Sequence, residues 1–284
     1  MAASFNYKDI LNDIARNDST SRQITEEESK KLKQCLLEMA VDLDARCRKN
    51  DIRLFLVGGS LLGAARHRGF IPWDDDMDFA VSRKDFERLL KILPERLPAP
   101  YRMLTRKDTA SVTGFLKISD ERTLHVYRWT DGQERDYGVD IDIFQLDPAT
   151  SKTRGRIKDF ILKMRGYRVL SARNRSLSKK ILAYLIKTAF FFVSRDMIYN
   201  FIERHLVEKK GDLIANTYGG TAKAETMPRE YMGEPRLYKF EDTQFYGVAM
   251  PEEYLTSLYG DWKTLPPEDK RHDHIVSMYW RDEE

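Results

Sequence analysis

The sequence predicts an α+β fold on three observations. Short apolar runs bounded by Gly, Pro or Asp fill residues 52–144 and read as strands, with amphipathic stretches among them. From residue 152 to about 208 the pattern turns helical and basic. Strands and helices are mixed first and mainly helices follow, which is the order of an α+β chain. The 284 residues are 42% hydrophobic and 33% charged, a composition that supports a packed core and excludes global disorder. That length suits one large domain, or a domain with an appended subdomain.

Taken in order, residues 1–21 read as a polar arm with one short helix. Thr25 and Glu28 have capping-box spacing, and the helix they start is expected to run to about Lys49. Leu32, Leu36, Met39 and Leu43 share one face of it. A strand is expected at 52–57, broken by Gly58-Gly59-Ser60, with a helix at 61–68. Residues 69–75 form a loop around Pro72. A strand at 77–81 and a helix at 85–93 follow, and Pro94, Pro98 and Pro100 mark a turn region. Further strands are expected at 101–104, 115–119, 123–128 and 139–144. The tail after the helical stretch is rich in Gly, Pro and Tyr and reads as loop. Three parts result: an arm and helix at 1–50, a core at 51–150 that carries the chemistry, and a helical, loop-rich part at 151–284.

The net charge is +3 and the pI about 8.6. That is too small an excess for a nucleic-acid binder, although a nucleotide needs only a few local cations. Cys35 and Cys47 fall in one predicted helix, about 18 Å apart at 1.5 Å per residue, so they cannot pair. A reducing compartment fits best. The first residues lack a cationic start followed by an apolar run, so no signal peptide is expected. No apolar stretch reaches about 18 residues, so no spanning helix is expected either. The expected location is cytoplasmic.

The chemistry concentrates between Val57 and Phe79. A strand ending in Gly58-Gly59-Ser60 and passing into a helix leaves backbone N–H groups unpaired at the helix start. Those donors attract phosphate, and glycines let it approach. The alternative is a tight turn. Asp74, Asp75, Asp76 and Asp78 follow within five positions. Asp76 and Asp78, two apart at a strand start, point to one face. Two such carboxylates repel unless a cation lies between them, and Mg²⁺ prefers oxygen ligands. The alternative is a solvated acidic turn. Asp140 and Asp142 alternate with Val139, Ile141 and Ile143 and again share one face. Beside the first strand, one of them would complete a three-carboxylate site, as a ligand or as a general base. The alternative is an edge strand with one wet face.

The run from Gly58 through Trp73 to Asp78 resembles the signature of the LicD family of phosphocholine transferases. That family is related to the fukutin group and placed in the nucleotidyltransferase-fold superfamily. Ile141-Asp142-Ile143-Phe144 with Leu146-Asp147 is similar to its second acidic strand, and residues 251–271 to its C-terminal pattern. Gln145 and Asp140 depart from that pattern, where proline and an apolar residue are usual. The resemblance implies a mixed sheet with flanking helices. It implies Mg²⁺ (or Mn²⁺) on Asp76, Asp78 and Asp142, and donor phosphate on Gly58, Gly59 and Ser60. It implies a CDP-linked alcohol such as CDP-choline as donor. The acceptor is a hydroxyl on a glycan, in teichoic acid, lipopolysaccharide or a capsule precursor, and CMP is released.

Other residues carry weaker signals. Arg66 and His67, with Arg68, close the helix after the glycine turn and are placed as phosphate ligands; cations at a helix C-terminus also have a structural rationale. Lys117 is a further candidate cation. Trp73 leads the aromatic candidates for a choline ammonium, with Tyr127, Trp129 and Tyr137 behind it. His272 and His274 flank Asp273 without a third ligand and make a poor zinc site. Residues 179–195 are apolar and bracketed by Lys179, Lys180 and Arg195. They read either as a peripheral membrane contact near lipid-linked acceptors or as a buried helix. The basic stretch 152–180 binds an acidic acceptor polymer or is a solvated face. Two other functions stay open: a true nucleotidyltransferase, which would release pyrophosphate, and a nucleotide- or glycan-binding regulator without turnover.

Overall fold

The computed structural model describes residues 24–108, 113–127, 138–169, 181, 184–185, 188, 192–268, 271 and 275–280. The expected N-terminal arm, Trp129, Tyr137, His272 and His274 lie outside them, as does the Tyr127 side chain. Two compact units are present, one formed by Met1–Gln145 with Glu230–Glu284 and the other by Leu146–Arg229. Residues 230–284, expected with the helical part, thus belong with the core.

The first unit opens on α1, Glu26–Lys49. Its start is set by the reciprocal capping box: the Glu28 N–H donates to Thr25 Oγ1 at 3.1 Å, and the Thr25 N–H donates to Glu28 Oε2 at 2.7 Å. Leu32, Leu36, Met39 and Leu43 are all buried, as their spacing requires. The strand expected at 52–57 shrinks to β1, Phe55–Leu56, and α2 spans Gly58–His67. The glycines therefore do not separate strand from helix; they are the helix's first turn.

β2 (Met77–Ser82), α3 (Arg83–Arg96), β3 (Tyr101–Leu104), β4 (Leu116–Asp120) and β5 (Thr123–Tyr127) follow close to expectation. β6, Asp140–Ala149, continues five residues past the expected end. The expected loop-rich tail also contains strands. β9 (Arg236–Phe240) and β10 (Thr243–Gly247) form a hairpin, α7 spans Pro251–Tyr259, and β11 (Ile275–Trp280) pairs with β5. The sheet of this unit runs β3-β4-β6-β2-β1-β10-β9. β10 lies parallel to β1, with Leu56 opposite Gly247, and β2 antiparallel to it, with Leu56 opposite Phe79. The sheet is mixed, as an α+β fold allows. Phe79, Phe240 and Phe245 pack in the core with ring centroids 5.5 and 5.9 Å apart.

In the second unit the end of β6 pairs antiparallel with β7 (Leu213–Asn216), which pairs with β8 (Thr226–Pro228). Its described helices include α4 (Lys152–Val169), α5 (Arg195–His205) and the single turn α6 (Ala222–Glu225). Among the described residues the C-terminal part thus adds five strands to its helices.

Candidate active site

The site forms where β1 hands the chain to α2. The Val57 N–H donates to the Asp78 carbonyl at 3.2 Å, extending the β1–β2 pairing by one residue. Asp78 therefore faces Gly58. The fit is close: a Cβ on Gly58 would come within 2.7 Å of Asp78 Oδ2, and one on Gly59 within 2.9 Å of Asp74 Oδ2. Gly58 also has φ +53°, a backbone that side chains disfavour. Ser60 Oγ accepts from the Asp78 N–H at 2.8 Å, tying the helix to the strand. The Gly58 N–H donates to the Tyr254 hydroxyl at 3.3 Å.

The loop between α2 and β2 runs back along the helix. A Cβ on Gly63 would lie 2.4 Å from the Gly69 carbonyl. Lys33 Nζ donates to the Pro72 carbonyl at 2.6 Å, and the Asp74 N–H closes a turn onto the Ile71 carbonyl at 3.0 Å. Glu241, in the β9–β10 turn, accepts from the Phe70 N–H at 2.9 Å. These contacts deliver Asp74, Asp75 and Asp76 to the helix start. Each offers an oxygen within 4.8 Å of the others.

β6 neighbours β2 in the sheet, the placement that a three-carboxylate site required. On its other side Lys117 of β4 stands opposite Asp142, and Ser119 opposite Asp140. Buried Lys117 Nζ donates to Asp140 Oδ1 at 2.8 Å and to Asp142 Oδ1. Its ammonium lies between two carboxylates, where it positions Asp142. It also gives Asp140, unusual in the resembled pattern, a partner. Burial, then the charges of Asp76, Asp142 and Asp74, push the Asp78 carboxyl well above the usual carboxylate range. Burial, opposed by Lys117 and reinforced by Asp140, raises Asp142 to about 7, and Asp76 adds to the shift. Asp142 thus raises the pKa of Asp78, and Asp76 raises that of Asp142. Asp142 keeps 15% of its side-chain surface open, against 2% for Asp140.

The other predicted residues gather at the far end of α2, about 12 Å along its axis at 1.5 Å per residue. Arg66 donates to the Trp262 carbonyl at 2.7 Å and, through Nε, to His67 Nε2 at 2.9 Å. The His67 ring meets Trp73 edge-on at 6.1 Å, and the Arg271 guanidinium lies 5.0 Å from the Trp73 centroid. Burial, then the charge of Arg271, lowers the Arg66 pKa. Burial, then Arg66, lowers that of His67. Arg66, His67 and Trp73 thus cluster apart from Gly58–Ser60, while Trp73 leads directly into Asp74. Sequence reasoning missed Asp74 as a close neighbour of the glycines, and it missed Tyr254, Trp262 and Arg271. The last three lie in the tail, and only its likeness to a family pattern marked it.

Comparison with known proteins bears on this geometry. The LicD/FKTN/FKRP nucleotidyltransferase-domain model matches residues 51–154, the stretch that holds Asp74, Asp75, Asp76, Asp78, Asp140 and Asp142. Lipopolysaccharide cholinephosphotransferase LicD of Haemophilus influenzae is 34% identical over 251 residues, 83% of this chain and 91% of that protein. The chain belongs to the LicD family. A shorter match, 56% identical over 34 residues, is to ribitol 5-phosphate transferase FKRP of Homo sapiens and covers 12% of this chain and 7% of that protein. An uncharacterized protein of Rickettsia prowazekii is 40% identical over 60 residues, 21% of this chain and 23% of that protein.

Proposed function

We propose that this LicD-family chain transfers phosphocholine, or a similar phospho-alcohol, from a CDP-linked donor to a hydroxyl of a cell-surface glycan or its precursor. CMP is the second product. The names of two relatives support the class: one transfers cholinephosphate in lipopolysaccharide and the other ribitol 5-phosphate. The observation that carries the reading is the placing of Asp78 and Asp74 against the two glycines that open α2, with Asp76 and Asp142 near enough for their charges to act on Asp78. In the reaction the acceptor oxygen attacks the phosphorus that bears the alcohol. The bond to the bridging oxygen breaks, and CMP leaves with the electron pair.

The residues fit a hard divalent cation, Mg²⁺ or Mn²⁺. The donors are all carboxylate oxygens: those of Asp74, Asp75 and Asp76 lie within 4.8 Å of one another, and Asp76, Asp142 and Asp74 raise the Asp78 pKa through a repulsion that a cation would relieve. Asp76, Asp78 and Asp142 would hold it, and it would neutralise charge on the diphosphate and leaving group. With the Gly58 N–H given to Tyr254, the Gly59 and Ser60 N–H groups at the start of α2 would hold donor phosphate, and Gly58 would let it approach. Lys117 fixes Asp142 through Oδ1, which leaves Oδ2 to serve as third ligand or to take the acceptor proton. Trp73, the aromatic residue that leads into Asp74, offers a ring for a choline ammonium.

The matched nucleotidyltransferase-domain description favours one second reading, transfer of a nucleoside monophosphate to a small molecule. One experiment separates the two. The protein is incubated with Mg²⁺ and, in turn, CDP-choline, CDP-ethanolamine, CDP-polyols and nucleoside triphosphates, with lipopolysaccharide as acceptor. CMP release from one CDP-alcohol, abolished by Asp76→Ala, is expected. With CDP-choline, Trp73→Leu raises KM about tenfold, the scale of a desolvated cation–π contact. Pyrophosphate release from a triphosphate replaces the transferase reading with the second. Binding of every donor without turnover points to a regulator.

A further inference from the structure

Helical segments of the second unit turn apolar side chains outward. On α4, Ile157 and Phe160 are exposed, pointing away from the face of Arg154, Gly155 and Lys158 that lines a cavity with Ile202 of α5. On α5, Met197 and Phe201 are exposed one turn apart. Between these helices Ile181, Tyr184, Leu185 and Thr188 are helical and exposed, and their i, i+3, i+4, i+7 spacing is that of one helix face. Tyr184 is 70% exposed and Phe192 88%. Of the twelve exposed large apolar side chains among the described residues, eight lie between Ile157 and Phe201. A solvent-facing helix face is ordinarily polar; a concentration of exposed apolar groups marks a contact surface.

The charge of the same segment identifies the partner. From Lys152 to Phe201 the sequence carries thirteen Lys and Arg against two acidic residues, Asp159 and Asp196, a net +11. The whole chain is +3, so the remainder carries −8. Apolar helix faces set among concentrated cations fit an anionic lipid leaflet, with apolar groups at the acyl boundary and cations at the headgroups. An acidic polymer would satisfy the charge but leave Phe160, Tyr184, Leu185 and Phe192 in water. Among the described residues no helix is long and apolar enough to cross a membrane, so the contact is peripheral.

We propose that the second unit docks on an anionic membrane surface through the exposed side chains of α4, of Ile181, Tyr184, Leu185 and Phe192, and of α5. The test is co-sedimentation of the full chain with phosphatidylcholine vesicles, with and without phosphatidylglycerol. Pelleting is expected only with the anionic lipid, and it weakens as salt rises. The triple variant Phe160→Ser, Tyr184→Ser, Leu185→Ser is expected to partition about tenfold more weakly with an unchanged melting temperature, since all three side chains are exposed. Failure to pellet overturns the proposal. So does pelleting that the triple variant leaves intact, because charge alone would then be recognised, as on an acidic polymer. Neither outcome depends on the transfer reaction, which the CMP assay reads separately.

Discussion

Asp78 shows at the scale of one residue how function costs stability. Its carboxyl lies against Gly58 and under the influence of Asp76, Asp142 and Asp74. A carboxyl whose pKa is higher folded than unfolded binds protons more tightly in the folded chain. Its contribution is therefore most favourable at low pH and is lost as pH rises from the usual carboxylate range through the folded value. Asp78→Asn removes the charge with little change of shape. In chelator, the variant is expected to be more stable than the unsubstituted protein at neutral pH by on the order of 1–2 kcal/mol, a gain of a few degrees in Tm. The gap closes as pH approaches about 4, where the carboxyl is protonated in both states. Melting curves across that range decide the matter: a gap of constant size, or of opposite sign, shows that Asp78 is not under this strain. Asp76 and Asp78 stood out in the sequence because they are two apart where a strand was expected to start, although β2 itself begins at Met77, one residue after Asp76. The role of Lys117 was not legible, because its partners sit 23 and 25 residues away on a strand whose register no local pattern fixes.

Among the elements, α2 is the one whose sequence reading changed most. The glycines looked like a break because glycine weakens a helix interior. They begin the helix because Asp78 and Asp74 leave no room for a Cβ there, a tertiary reason that helix propensity cannot show. The other end of α2 carries a different strain. Arg68 caps it with φ +61°, in the left-handed region, which costs a residue with a Cβ about 1–2 kcal/mol. Only its backbone carbonyl is engaged in the β9–β10 turn, where it accepts from the Glu241 N–H at 2.8 Å. Arg68→Gly keeps that bond and relieves the strain. After the extra entropy glycine has in the unfolded chain, a net gain of about 0.5–1 kcal/mol is expected. CMP release should be unchanged, since Arg66 and His67 hold their own contacts. A fall in turnover with Tm raised would instead place the Arg68 side chain on substrate. The capping box of α1 was legible to within one residue, because both of its hydrogen bonds join positions three apart.

Across the whole molecule, the site is completed by chain that is remote in sequence. Tyr254 and Trp262 reach Gly58 and Arg66 across 196 positions, and β10 lies beside β1. The strands of the tail escaped the sequence reading because they are short and set among Gly, Pro and Tyr, which read as turns. This closure implies that a cation held by the carboxylates stabilises the first unit as a whole, not only its loops. Cys35 and Cys47 on α1 can report it. Both are free and buried. Burial, then Asp120, raises the Cys35 pKa beyond that of a reactive thiol, and burial, then Asp44, pushes Cys47 up to about 12. Alkylation of either therefore waits for the unit to open. A ligand that binds only the folded chain slows this opening-limited labelling by one plus the ratio of its concentration to Kd. Mg²⁺ at about ten times its Kd should slow alkylation of both thiols roughly tenfold, and Asp76→Ala should abolish the effect while leaving labelling slow in chelator. Equal protection in the variant would put the cation elsewhere. Fast labelling insensitive to Mg²⁺ would mean that α1 opens independently of the carboxylate site.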